Sequence, residues 1–194
     1  MKAAIIAGAV AGLFSLAAIA QTTGSEVQRD VNQQQRIEQG LQNGSLTTKE
    51  ASKLEAGESR IDKMESNAEK NGKLSPAEKA RIQRAQNQES RDINRAENNS
   101  ARGNPNSASS QRMQADVQRN VNQDKRIEQG VKSGQLTNRE AGKLENGQAR
   151  VDRDEARAGA NGHVNAKEQQ RIQKAENKQS KRVYKEKHDK QTRR

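Results

Sequence analysis

The pentapeptide Arg36-Ile-Glu-Gln-Gly40 recurs unchanged as Arg126-Ile-Glu-Gln-Gly130, 90 residues further along the chain. The surrounding sequence keeps the same offset: residues 27–100 align with 117–190 without a gap, and 33 of these 74 positions are identical. Self-similarity at one constant offset is typical of a duplicated structural unit. The sequence therefore predicts two tandem copies of one fold.

Each copy is predicted to form three helices. Aliphatic residues recur at helical spacing over 25–42, and Asn43-Gly44 ends the pattern because both residues tolerate the left-handed conformation. An N-cap residue followed three positions later by glutamate, the signature of a capping box, starts the later helices: Thr47/Glu50, Ser75/Glu78, Thr137/Glu140 and Asn165/Glu168. Strand patterns are absent from the sequence. The predicted fold class is all-α, with two three-helix (helical hairpin) units whose seams are as thin as those of a coiled coil.

The predicted domain boundaries follow from these patterns. A signal peptide occupies residues 1–20, the first helical repeat 25–97 and the second 115–184. Between the repeats, residues 98–114 are rich in Asn, Ser and Gly and predict a flexible linker. Residues 185–194 form a basic tail.

The N-terminus has the features of a secretory signal. Lys2 precedes an apolar stretch, and Ala18-Ile19-Ala20 offers the small-x-small pattern that signal peptidase cleaves, before Gln21. An uncleaved membrane anchor is the alternative, because the apolar run approaches the length that spans a bilayer. Its many small residues favour cleavage. We therefore expect a periplasmic or secreted protein with no transmembrane span in its mature form.

Composition limits the kind of core that this chain can build. The chain has no cysteine, so no disulfide stabilises it, and only 29% of its residues are hydrophobic. Tyr184 is the sole aromatic residue after position 20. Thin aliphatic seams are expected to hold the helices together.

The formal net charge of +11 is unevenly distributed. Residues 27–100 contain 13 Lys and Arg against 12 Asp and Glu, whereas 117–190 contain 18 against 11. An exported basic protein is expected to meet anionic envelope components or acidic client proteins. The alternative is a solvated surface that only maintains solubility. The candidate anion-binding residues are Lys174, Lys178, Lys181, Arg182, Lys185, Lys187, Lys190, Arg193 and Arg194.

One turn resembles part of a calcium-binding EF-hand loop. With Gly72 at position 6 of that loop, the oxygen-bearing residues Asn67, Glu69, Asn71 and Glu78 occupy positions 1, 3, 5 and 12. The three related turns place unsuitable residues there. A capping box explains the same pattern without metal, so the sequence predicts at most weak calcium binding and no other cofactor.

Other kinds of site have little support in the sequence. With two histidines and no cysteine, a zinc or copper site lacks its usual ligands. Asp152, Asp154 and Glu155 alternate with arginines and are interpreted as an ion-paired helix face. Neither a catalytic triad nor a pocket that would raise a carboxyl pKa is predicted, so we expect no enzyme activity. Nucleic-acid binding would rest on charge alone, because the stacking aromatics of single-strand binders are missing.

Several motifs point to one family. Gln35–Gly40, Gly44–Glu50, Arg60-Ile-Asp62 and the ending Ser180–Asp189 resemble small, uncharacterised exported proteins of Gram-negative bacteria. Those proteins are built on Arg-Ile-x-x-Gly and Gly-x-Leu-Thr-x-x-Glu units, and the resemblance implies an exported helical protein without catalytic activity. Leu46-Thr-Thr-Lys-Glu50 is also similar to the Leu-Thr-x-x-Gln motifs of periplasmic stress chaperones.

The first hypothesis is therefore a non-enzymatic exported helical repeat protein that binds anionic envelope components or proteins through its basic second repeat. Two alternatives stay open. One is weak calcium binding at the EF-hand-like turn, and the other is a periplasmic stress chaperone.

Overall fold

Six α-helices form the part of the chain that the computed structural model describes, residues 15–191, and no strand occurs within that range. Side chains are described from residue 23 onward. The helices are α1 (Ser15–Asn43), α2 (Thr48–Ala68), α3 (Pro76–Glu97), α4 (Ala108–Ser133), α5 (Asn138–Ala158) and α6 (Ala166–Lys187), and a 3-10 turn (Glu69–Asn71) follows α2. The all-α class is confirmed. The C-terminal ends of α1 to α3 recur in α4 to α6 at the 90-residue offset.

The predicted signal peptide lies largely outside the described residues. Residues 15–20 form the start of α1, and the predicted cleavage point after Ala20 falls within this helix. None of the described helices combines the length and the apolar character needed to cross a lipid bilayer.

All four predicted capping boxes are confirmed. At the first of them, the Glu50 backbone N–H donates to the Thr47 hydroxyl over 3.1 Å, and the Thr47 N–H donates to the Glu50 carboxylate over 3.0 Å. These bonds satisfy backbone donors that have no partner within the helix. Each of the four turns contains a glycine at positive φ, as the sequence pattern predicts.

The glycine that ends the pentapeptide allows a leucine to pack against its helix. The Leu46 N–H donates to the Gly40 carbonyl over 2.9 Å, and the same bond joins Leu136 to Gly130. A Cβ at Gly40 would lie only 2.5 Å from Leu46 Cγ, a separation that forces the fully buried leucine to move. The packing of Leu46 against α1 therefore requires glycine at position 40.

We predict that Gly40→Ala destabilises the protein by about 1–3 kcal/mol, because overpacking at Leu46 exceeds the gain in helix propensity. Gly24→Ala in the same helix is the control. Its Cβ would meet no atom closer than 3.7 Å, so alanine there should stabilise the protein by up to about 1 kcal/mol. Urea unfolding measures both changes, and equal effects from the two substitutions would contradict the packing account.

The second part of the predicted flexible linker over 98–114 is helical in the structure. Helix α4 begins at Ala108, where the Ser107 hydroxyl accepts the Ser110 N–H over 3.1 Å. Met113 is fully buried, and this apolar anchor explains why the helix starts before residue 115. The first part also makes a defined contact, since the Gly103 N–H donates to the Gly44 carbonyl over 2.9 Å.

The two halves pack on each other through antiparallel helix pairs. Along α2 and α5, Ser52 lies against Gly159, and the Ser59 hydroxyl donates to the Ala149 carbonyl over 2.7 Å. Ser59 and Ala149 are separated by the 90-residue offset of the sequence repeat, so aligned positions of the two halves meet at this interface. Helices α1 and α4 form the second antiparallel pair, since Lys132 donates to Gln28 over 3.0 Å near one end and Gln114 donates to the Leu41 carbonyl over 3.4 Å near the other.

Helices α3 and α6 lie on the outside of this four-helix arrangement. Helix α3 packs on α1 and α2, and α6 packs on α4 and α5. Buried glutamine amides bridge the layers: Gln33 donates to the Gln86 carbonyl over 2.9 Å, and Gln179 to the Leu144 carbonyl over 2.8 Å. Two apolar clusters complete the core, and each contains residues from both halves.

Candidate functional site

A continuous row of positive charge runs along the solvent face of α6. Spacings of three and four residues place its members on one side of the helix, and all of them are exposed. At 1.5 Å per residue the row is about 27 Å long. Among the described residues, none of its members forms an ion pair. We call this surface the α6 stripe; it consists of Lys167, Arg171, Lys174, Lys178, Lys181 and Lys185.

The equivalent face of α3 is weaker and partly neutralised. Ala77 and Gln88 stand where the α6 stripe has Lys167 and Lys178. In addition, Arg95 forms an ion pair with Asp92. The position equivalent to Asp92 in α6 is Arg182, so no carboxylate interrupts the stripe there. This comparison locates the charge excess of the second half on one helix face.

The exposed aromatic residue lies beside the end of the α6 stripe. Tyr184 is 61% exposed and stacks on His188, with their ring centroids 4.1 Å apart. His188 Nδ1 lies 2.7 Å from the Tyr184 carbonyl oxygen. An exposed tyrosine next to a cationic surface suits a boundary between water and a less polar phase.

The structure divides the predicted anion-binding residues into two groups. Lys174, Lys178, Lys181, Lys185 and Lys190 are exposed, whereas Arg182 and Lys187 are half-buried. Burial, together with the nearby Arg126, lowers the pKa of Lys187. Arg193 and Arg194 lie outside the described residues.

The four residues of the EF-hand-like turn have separate roles. Asn67 and Glu78 line the same shallow groove of about 240 Å³ between α2 and α3. The Glu78 carboxylate accepts hydrogen bonds from the Ser75 hydroxyl over 2.5 Å and from the Ser75 N–H over 2.9 Å, and these bonds hold the pKa of Glu78 below its usual value. Asn71 accepts the Lys73 N–H over 2.8 Å. Glu69 is buried, and its side chain packs against Gly142 of α5 instead. Of the four residues, Glu78 is therefore engaged in a helix cap, while Asn71 and Glu69 make other contacts.

The interior contains a feature that sequence reasoning missed, a core rich in carboxyl groups. Asp152 and Glu155 were expected on an ion-paired face, and that interpretation is wrong: they are 1% and 0% exposed. Only Asp154 faces Arg157, at 3.9 Å. The spacing of the acids along α2 could have predicted this core, because Glu55, Glu58, Asp62 and Glu65 recur at helical intervals beside the apolar stripe of the helix.

The buried acids converge in two groups of three that could hold a cation. In the first, Asp30 of α1 meets Asp62 and Glu65 of α2. In the second, Glu55 of α2 meets Asp152 and Glu155 of α5. Within each group, one carboxylate oxygen from every residue lies within 4.8 Å of the others.

Burial shifts the ionisation of these acids strongly, contrary to the expectation that thin seams raise no carboxyl pKa. It raises the pKa of Asp30 to about 6 and that of Glu55 to about 8. Burial, followed by the charges of neighbouring carboxylates, raises the pKa of Asp62 and Asp152 well above the usual value. Outside these two groups, burial raises the pKa of Glu26, Glu89 and Asp116 to about 7 and that of Glu176 to about 8.

We predict that, in EDTA, the free energy of unfolding is greater at about pH 4.5 than at about pH 8 and falls between these two values. Carboxyls such as Glu26 and Glu89, both raised from 4.5 to about 7, bind protons more tightly in the folded chain than in the unfolded chain. Their contribution is therefore complete below the unfolded pKa and is lost as the pH passes through the folded value. Urea unfolding at several pH values measures the slope.

Glu89→Gln should flatten this slope, since a neutral amide cannot gain charge. The equivalent position in α6 is Gln179, which lies against Gly147 as Glu89 lies against Gly57, so glutamine is expected to fit. Stability that rises from pH 4.5 to 8 would contradict the prediction.

Comparison with known protein families, curated proteins and solved structures finds no match to this chain.

Proposed function

We propose that this chain is a non-enzymatic, exported helical repeat protein that binds anionic components of the bacterial envelope through the α6 stripe. The observation that carries the proposal is the row of six exposed cations on one face of a single helix, none of them ion-paired to another described residue. Charges arranged along a line of about 27 Å can contact several phosphate or carboxylate groups at once.

The proposal requires that the protein is exported to the periplasm or outside the cell, where it meets envelope components. The signal-like segment over residues 1–20 supports that location in sequence terms. In this proposal the two halves are copies of one unit, and the second copy has acquired the binding surface. Lys167 and Lys178, which have uncharged counterparts in α3, are the changes that complete the stripe.

Recognition by charge fits this surface better than the chaperone hypothesis. Within the described part of the chain, Tyr184 is the one large hydrophobic side chain that is exposed. Unfolded client proteins are usually captured through apolar contact area, and this surface offers little. Tyr184 instead adds a single amphipathic contact beside the cations.

We predict that the protein cosediments with vesicles containing phosphatidylglycerol and not with vesicles of phosphatidylcholine alone. A fourfold variant of the α6 stripe, with Arg171, Lys174, Lys181 and Lys185 changed to Gln, should bind at least about tenfold more weakly, because each cation near an anionic surface contributes about 1 kcal/mol. Raising the salt concentration should weaken binding of the unaltered protein in the same way.

The matched control changes the equivalent residues of α3, namely Arg81, Arg84, Arg91 and Arg95, to Gln. This variant loses the same number of charges from the other outer helix. Its binding should stay within about threefold of the unaltered protein, because the α6 stripe remains. Equal losses in both variants would show a response to net charge and would overturn the assignment to α6.

A further inference from the structure

The surface proposal does not involve the two interior groups of three acids. Two acids of each group are related by the 90-residue offset: Asp62 and Glu65 of α2 correspond to Asp152 and Glu155 of α5. Each group is completed by one further acid, Asp30 in the first and Glu55 in the second. All six residues are at most 4% exposed.

The spacing within each group suits one cation of calcium size. Oxygen ligands bind calcium at 2.3–2.6 Å, so two ligands on opposite sides of the ion lie about 4.8 Å apart. The carboxylate oxygens of each group lie within 4.8 Å of one another. Three converging carboxylates therefore fit around a single ion without a change of helix packing.

A buried amide lies against each group, and its oxygen becomes a further ligand once the amide is rotated. In the first, Gln86 Nε2 lies 2.8 Å from an Asp30 oxygen and 3.1 Å from a Glu65 oxygen. In the second, Asn120 Nδ2 lies 3.1 Å from an Asp152 oxygen and 2.8 Å from a Glu155 oxygen. Both amides are fully buried, and both side-chain oxygens lack a partner. Rotation of the amide by about 180° would turn that oxygen toward an ion.

One further acid next to the first group has no hydrogen-bond partner. Glu58 is 1% exposed, and neither of its carboxylate oxygens accepts a hydrogen bond. It lies one helical turn before Asp62 on the same side of α2. An unsatisfied buried carboxylate is costly unless a proton or a cation compensates it.

The described side chains provide no buried cation that could compensate these acids. No Lys or Arg is buried in the part of the chain whose side chains are described. Two hydrogen bonds between acids cross the interface between the halves: the bond of Asp62 with Asp152 joins the two groups, and that of Glu55 with Glu155 lies within the second group. Each such bond needs a proton, so protons and cations compete for the same oxygens.

The ligand chemistry selects the kind of cation. Every donor in the two groups is a carboxylate or amide oxygen, and the chain has no cysteine. Hard cations such as Ca²⁺ and Mn²⁺ prefer oxygen ligands, whereas Zn²⁺ and Cu²⁺ prefer nitrogen and sulfur. Mg²⁺ retains several of its waters, which a closed helical interior does not accommodate.

We propose that the two groups form two related sites for a hard divalent cation, preferentially Ca²⁺, at the interface between the halves. The first site uses Asp30, Asp62, Glu65 and Gln86, and the second uses Glu55, Asp152, Glu155 and Asn120. The second site takes ligands from both halves, so its ion joins them. This proposal is independent of the α6 stripe and differs in place from the EF-hand-like turn.

The test is calcium binding by the full chain, stripped with EDTA and returned to about pH 7.5, followed by calorimetry and by equilibrium dialysis. We expect about two ions per chain and a rise in melting temperature of several degrees, because the ions bind only the folded state. Mn²⁺ should compete for the same sites, which electron paramagnetic resonance detects as loss of the free-ion signal.

Substitutions assign the ions to the two sites. Asp62→Asn and Glu155→Gln should each remove one ion per chain, and the double variant should remove both. Without calcium, each variant should melt at the same temperature as the unaltered chain or higher, because a neutral amide replaces a buried acid. That result separates a lost ligand from a failure to fold.

Two control variants sharpen the assignment. Asp154→Asn changes an acid on the solvent side of α5, 41% exposed at its side chain, and should leave two ions bound. Glu78→Gln removes the EF-hand-like candidate and should also leave two. Loss of calcium in Glu78→Gln, unchanged binding in the double variant, or no binding by the unaltered chain would each overturn the proposal.

Discussion

Burial of acids between two antiparallel helices is the constraint on which the rest of this structure depends. Helices α2 and α5 approach closely where Ser59 bonds to the backbone of Ala149, and their acidic faces turn inward at the same interface. Carboxylates leave water at a large cost unless protons, hydrogen bonds or cations compensate them. The fold can form only if the interior supplies that compensation.

The same arrangement makes the surface strongly basic. Of the 25 acidic residues, 17 are buried, whereas no Lys or Arg is buried among the residues with described side chains. The solvent therefore meets a greater excess of positive charge than the formal value of +11 suggests. Helix α6 concentrates this excess, so the interior acids and the exterior cations are two consequences of one segregation of charge.

Sequence reasoning predicted the helices and their ends well, because capping boxes such as Thr47 with Glu50 depend on residues only three positions apart. It did not predict the packing of the halves, since Gly142 and Glu69 meet only after two distant helices fold together. The role of Asp152 and Glu155 was misjudged for a related reason. Nearby arginines made an ion-paired face plausible, while the interior environment depends on contacts with α2 and α4.

The most direct test of the buried-acid core is a pH titration of the side-chain carboxyl carbons by ¹³C NMR on the full chain in EDTA. Carboxyl groups in unstructured peptides titrate near about pH 4. A separate set, including Asp62, Asp152 and Glu155, should remain protonated to well above that value, because burial raises the pKa of each of these carboxyls. If all the Asp and Glu resonances titrate near their ordinary values while the helices remain folded, the acids face water and the proposed core does not exist.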